Sequence, residues 1–152
     1  AVNTLESAEE LLEKKLYLSN SAQKELSVLT DAVCEIVKLA SEAFLNKDLT
    51  TAFEVEPLEQ VIDSLKEQLR TNHIMRLQHG DCTIELGFVW SDLLTNLERV
   101  ADHCSNLAVD LLRIHENVFD VHEDLEGLKE NKDAAFREAY QKDKAVYALP
   151  QS

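Results

Sequence analysis

Asn96–Ala108 reads NLERVADHCSNLA, and the fold turns on how this stretch is wound. Wound as a helix at 100° per residue, it puts Leu97, Ala101 and Cys104 on one face. Glu98 and Asp102 fall together along one border of that face. Asn96, His103 and Asp110 fall along the other. Upstream and downstream, Leu86, Trp90, Leu93, Leu94, Ala108 and Leu111 keep the same stripe. The spacing predicts one long amphipathic helix, from Cys82 or Thr83 to about Glu116, with Asp81 or Thr83 as its cap. Ala101, Cys104 and Ala108 let a neighbouring helix approach closely. Gly87 lies inside it and costs up to about 1 kcal/mol relative to Ala unless close packing compensates.

Outward from there, helical spacing recurs. A leading helix is predicted over 4–17, with Leu5, Ala8, Leu12 and Leu16 as its stripe. A second runs from about Asn20 to Leu45 on Ala22, Leu26, Leu29, Val33, Ile36, Val37, Ala40 and Phe44, and Asn46-Lys47-Asp48 breaks it. A third is expected to open at Pro57, since proline suits a first helical turn. It runs on Leu58, Ile62, Leu65 and Leu69 to about Gln78, with Gly80 supplying a left-handed end. A last helix, 124–145, is thinner in apolar residues and reads as half exposed, followed by an unstructured end from Leu149. Only 3 Gly and 2 Pro occur in 152 residues, too few turn residues for a strand-rich fold. The expected fold class is all-α: an up-and-down helical bundle on a three-helix core. It is read as a single domain, with 1–18 as leading helix, 19–116 as core repeat and 117–152 as C-terminal helix and tail.

The formal net charge of −14 disfavours nucleic-acid partners and a polybasic membrane anchor, and it attracts cations. No apolar run is long enough to span a bilayer, so no membrane insertion of this segment is expected. Cys34, Cys82 and Cys104 are odd in number and far apart, which fits a reducing compartment rather than a disulfide framework. Cys34 and Cys104 read as packed thiols. His73, His79, His115 and His122 read as surface or helix-end residues. Nothing in the sequence points to a nucleophile activated by a base, and no H-E-x-x-H, G-x-S-x-G, P-loop or Glu-x-x-His pair occurs, so no enzyme is expected. The chain begins Ala-Val with Met75 as its only methionine, and is read as a piece of a longer protein.

The predicted third helix repeats the arrangement of the opening stretch. Glu59 and Asp63 border Leu58, Ile62 and Leu65 on the same side as Glu98 and Asp102 border theirs. Carboxylates at i and i+4 repel by a few tenths of a kcal/mol on an isolated helix. They become useful when a cation lies between them, because paired oxygens from two helices give the hard shell that Mg²⁺, Ca²⁺ or Mn²⁺ prefers and iron accepts. The same spacing also arises by chance as a solvated face in a chain with 29 acidic residues. Arg99 could equally pair with one of them.

Asp92–Ala108, DLLTNLERVADHCSNLA, resembles the signature helix of the PhoU family, an E/D-x-x-x-D motif inside E-R-[IV]-x-D-H-x-x-N-[IL]-A. Glu98, Arg99, Val100, Asp102, His103, Asn106, Leu107 and Ala108 carry the match. Val55–Leu65 resembles the preceding helix of the same repeat. His73–Leu94 looks most like the PhoU-like C-terminal region of bacterial sodium/phosphate cotransporter proteins. The resemblance implies a three-helix repeat whose motif face can take divalent or iron cations. The site would fall on Glu98, Asp102, Glu59 and Asp63, with Arg99, His103 and Asn106 as further motif residues. It implies a non-catalytic regulator of phosphate transport on the cytoplasmic side of the membrane. The chain would be the cytoplasmic domain of a sodium/phosphate cotransporter, with the membrane part of the same polypeptide or a phosphate-signalling protein as partner. Alternatives are a free-standing regulator of a phosphate ABC transporter or sensor kinase, and a metal-storage bundle. A homodimer would rebuild the two-repeat arrangement of the family's stand-alone members.

Overall fold

The computed structural model describes residues 18–118 and 125–150, together with Leu5, Glu6 and Glu9, and side chains from 18 to 115 and from 133 to 150. Four helices occupy the described segments: α1 (Asn20–Asn46), α2 (Leu49–Gln78), α3 (Ile84–Val118) and α4 (Leu125–Val146). The expected leading helix lies outside the described residues apart from those three positions.

The turn between α1 and α2 is written into two residues. Lys47 takes the left-handed conformation at φ 50° and closes α1 by donating its N–H to the Ala43 carbonyl. Asp48 then opens α2, its carboxylate accepting from the N–H groups of Thr50 at 3.0 Å and Thr51 at 3.3 Å. Ser19 caps α1 by accepting from the Ala22 N–H at 3.3 Å. Thr83 caps α3 through the Leu86 N–H at 3.2 Å. Gly80, at φ +77°, supplies the left-handed residue after α2.

The start of α2 corrects the expected opening at Pro57, which is buried inside the helix. Proline brings no N–H to the ladder and costs about 3 kcal/mol in a helix interior. The Asp48 cap and the burial of Ala52 and Val55 on the preceding turns offset that cost, so the helix begins two turns earlier.

α1, α2 and α3 all pack on one another and enclose the core, and α4 packs against α2. α2 is therefore central, and it buries Val55, Leu58, Val61, Ile62, Leu65 and Leu69 toward different neighbours. Leu94, Ile36 and Leu29 fill the space opposite. The small residues Ala40, Ala43, Ala101 and Ala108 are buried where helices come close.

Several single positions depart from the expected stripes. Val37 and Phe44 are exposed, because Ile36, Ala40 and Ala43 already define the inward face of α1. Cys34 is exposed for the same reason, one residue round from buried Val33, while Cys104 is half-buried against the core. Leu149 is not a free end: it packs on the core with Tyr147. Ala135 and Val146 of α4 are exposed and Phe136, Ala139 and Tyr140 are partly covered, which agrees with a half-exposed helix.

Candidate functional site

α2 and α3 run antiparallel, and each lays a polar ridge along their seam. On α2 the ridge is Glu56, Glu59, Asp63 and Lys66, and on α3 it is Glu98, Asp102 and Ser105. At one end the buried Ser105 hydroxyl donates to the Glu56 carboxylate at 2.6 Å. At the other, Lys66 Nζ donates to Asp63 Oδ1 at 2.8 Å and Glu98 Oε1 at 2.5 Å, with a Glu67 oxygen 3.5 Å away. Between them, Glu59 lies in the field of the rest. Burial pushes its carboxyl up to about 7, and the negative charges of Glu56, Asp63, Asp102 and Glu98 push the same way.

The four predicted acids are thus brought to one seam, as the helical wheel placed them. Arg99, His103 and Asn106 are not: all three are exposed on α3. Among the described residues Arg99 makes no ion pair with the acids. Lys66 takes that place, with a side chain only 7% exposed. Sequence reasoning missed Lys66, Glu56 and Ser105. The signal was there in the spacing, since each lies three residues from a predicted acid on its own helix and therefore on the same face.

The arrangement does not fit an inorganic cation between Asp63 and Glu98. The ammonium already occupies the space between their oxygens and brings positive charge with it. Among the described residues, no group of three or more His, Cys, Asp and Glu side chains is arranged to hold a metal ion.

A second polar cluster closes the end of the bundle where α1 begins. Buried Glu25 accepts from Asn72 Nδ2 and Arg76 Nη1, both at 3.0 Å. Arg76 lies over the Trp90 ring, 5.6 Å from its centroid. His73, expected at the surface, is buried and stacked on Trp90 with centroids 5.9 Å apart. Gly87 explains how: a Cβ there would lie 3.0 Å from His73 Nε2, so glycine makes room for the imidazole. Cys82 Sγ lies 3.8 Å from both ring nitrogens, a thiol–imidazole juxtaposition that sequence spacing did not reveal. Burial pushes the Cys82 thiol up, and burial followed by the Arg76 charge pushes His73 down. Both shifts favour neutral partners, the opposite of the thiolate–imidazolium pair that a cysteine nucleophile needs.

No helix among the described residues is long and apolar enough to cross a membrane. Residues 26–111 match the family described as PhoU domain, a span that takes in α2, most of α1 and the motif part of α3. Over 130 residues the chain is 29% identical to the phosphate-specific transport system accessory protein PhoU homolog 1 of Thermotoga maritima, covering 82% of this chain and 56% of that protein. Over 100 residues it is 30% identical to an uncharacterized protein of Deinococcus radiodurans, covering 64% of this chain and 36% of that protein. The chain thus spans about half or less of the length of these curated relatives. No solved structure matches. With more than half of its length under the family match and the motif acids gathered on one helix seam, the chain belongs to the PhoU domain family.

Proposed function

We propose that this chain is a non-catalytic regulator of phosphate transport that acts by binding a phosphate-transport or phosphate-signalling protein. The observation that carries the reading is the alignment, across 82% of the chain, with a protein named as an accessory of a phosphate-specific transport system. The geometry agrees with it. Lys66, Asp63 and Glu98 of the α2–α3 seam are tied to one another, Ser105 is tied to Glu56, and the thiol–imidazole pair is held neutral, so none of these groups is set up for chemistry on a substrate.

Of the two settings considered, the accessory-protein relative favours a regulator that meets its transporter as a separate partner over a cotransporter's own cytoplasmic domain. The −14 charge directs partner choice toward a basic or cation-bearing surface, such as positively charged cytoplasmic loops of a membrane protein.

The test is an antibody to this chain on separated soluble and membrane fractions of the source cells, paired with phosphate uptake in cells lacking the sequence. A soluble band and deregulated uptake are expected. A band tens of kilodaltons larger, found only in the membrane fraction, would transfer the same regulatory role to a cotransporter tail. Uptake and its regulation unchanged by the deletion would refute the function in either setting.

A further inference from the structure

We propose that the acidic seam between α2 and α3 is joined by a cation built into the chain, the Lys66 ammonium, and that this ammonium stands where the family resemblance would place a metal. One nitrogen reaches both helices. It donates to Asp63 on its own helix and to Glu98 on the next, and Glu67 lies within ion-pair distance. The placement is built rather than incidental. Lys66 is buried, although its neighbours Glu67 and Asp63 are exposed. A lysine removed from water keeps its charge only when acceptors replace the lost hydration, and here two carboxylates do so.

The same geometry excludes a divalent ion from that position. A hard cation needs its carboxylate oxygens at about 2.0–2.6 Å. Asp63 Oδ1 and Glu98 Oε1 are already taken up by Nζ, and an ion between them would meet a fixed positive charge. A tethered cation also cannot be stripped by a chelator or diluted away. The helix pair is therefore joined at all metal concentrations, and the seam is a structural tie independent of how the chain meets its partner.

The experiment uses the whole 152-residue chain after chelator treatment, with Mn²⁺ as the probe, read by the paramagnetic signal of free Mn²⁺ and by melting temperature at matched ionic strength. Wild type should show no saturable Mn²⁺ site below about 1 mM, the weak end of protein sites for such ions. Lys66→Met, which keeps the stem and removes the charge, should melt lower in chelator. It should recover with Mn²⁺ and bind it at least about tenfold more tightly than wild type. Glu98→Gln covers the case in which Lys66→Met does not fold: it should lower the melting temperature equally with and without Mn²⁺. Saturable binding of Mn²⁺ by wild type below that concentration would overturn the proposal. So would a Glu98→Gln loss seen only when Mn²⁺ is present.

Discussion

Glu59 shows how a single carboxyl records its surroundings. Its folded pKa of about 7 lies above the ordinary 4.5, so the unfolded chain releases this proton more readily than the folded one. Below about pH 4.5 the group is protonated in both states and is neutral to stability. As pH rises toward 7, the unfolded state gains by ionising first and stability falls; above about 7 the loss is complete. Glu59→Gln should therefore raise the melting temperature at pH 8, leave it unchanged near pH 4 and flatten the profile between. Solvent around the half-buried group limits the gain to about 1–2 kcal/mol. Urea unfolding at both pH values checks it, and an equal effect at pH 4 and pH 8 would count against the electrostatic cause. Gly87 offers a second test at this scale. Gly→Ala in a helix interior ordinarily adds about 1 kcal/mol of stability. Here the new methyl would meet His73 Nε2 at 3.0 Å, and stacking on Trp90 leaves the imidazole little room to yield. Gly87→Ala should destabilise, by about 1 kcal/mol net, and a denaturant midpoint at or above wild type would show that the imidazole can move aside.

The helix ends and faces were legible in the sequence wherever one strong local signal spoke without competition. Thr83, Gly80 and the Asn46-Lys47-Asp48 break all mark real boundaries. Pro57 misled because proline is a local preference, whereas the start of α2 is set by the Asp48 cap and by core burial on both sides of the proline. The candidate site was half legible. Helical spacing alone brings Glu59, Asp63, Glu98 and Asp102 to one seam, but it cannot say which cation answers them, because Lys66 reads as one more surface lysine until α3 is laid across it. His73 was misread for a related reason: its stacking partner Trp90 lies on another helix. The α1–α2 turn carries its own prediction. Lys47 holds φ at 50°, a conformation that costs a non-glycine residue about 1 kcal/mol and glycine almost nothing. Lys47→Gly should raise the melting temperature by a few degrees, the net of that relief against the larger entropy of an unfolded glycine. Calorimetry reads it, and a fall would mean that the Lys47 side chain contributes more than its backbone costs.

At the scale of the whole molecule, the charge and the core oppose each other. Twenty-nine acidic side chains against fifteen basic ones leave −14 on a chain of 17.2 kDa, and their mutual repulsion is relieved when the chain expands. The core of α1, α2 and α3 holds against it with fully buried residues such as Leu29, Ile36, Leu58, Ile62, Leu69 and Leu94. Leu94→Ala should cost about 2–5 kcal/mol, a large share of the stability of a domain this size. Salt acts on the two contributions differently. It screens the long-range repulsion between exposed carboxylates, over a Debye length near 10 Å at 0.1 M, and leaves apolar burial nearly untouched. The short Lys66–Glu98 and Arg76–Glu25 pairs, shielded by their partly buried surroundings, are screened much less than charges in open solvent. Raising NaCl from about 10 mM to about 300 mM should therefore stabilise the protein rather than weaken its ion pairs, with the melting temperature rising and then levelling off as the Debye length falls below the spacing of the surface acids. A melting temperature that falls with salt would mean that the few ion pairs outweigh the net charge, and that the tie at Lys66 is more solvent-exposed than its burial implies.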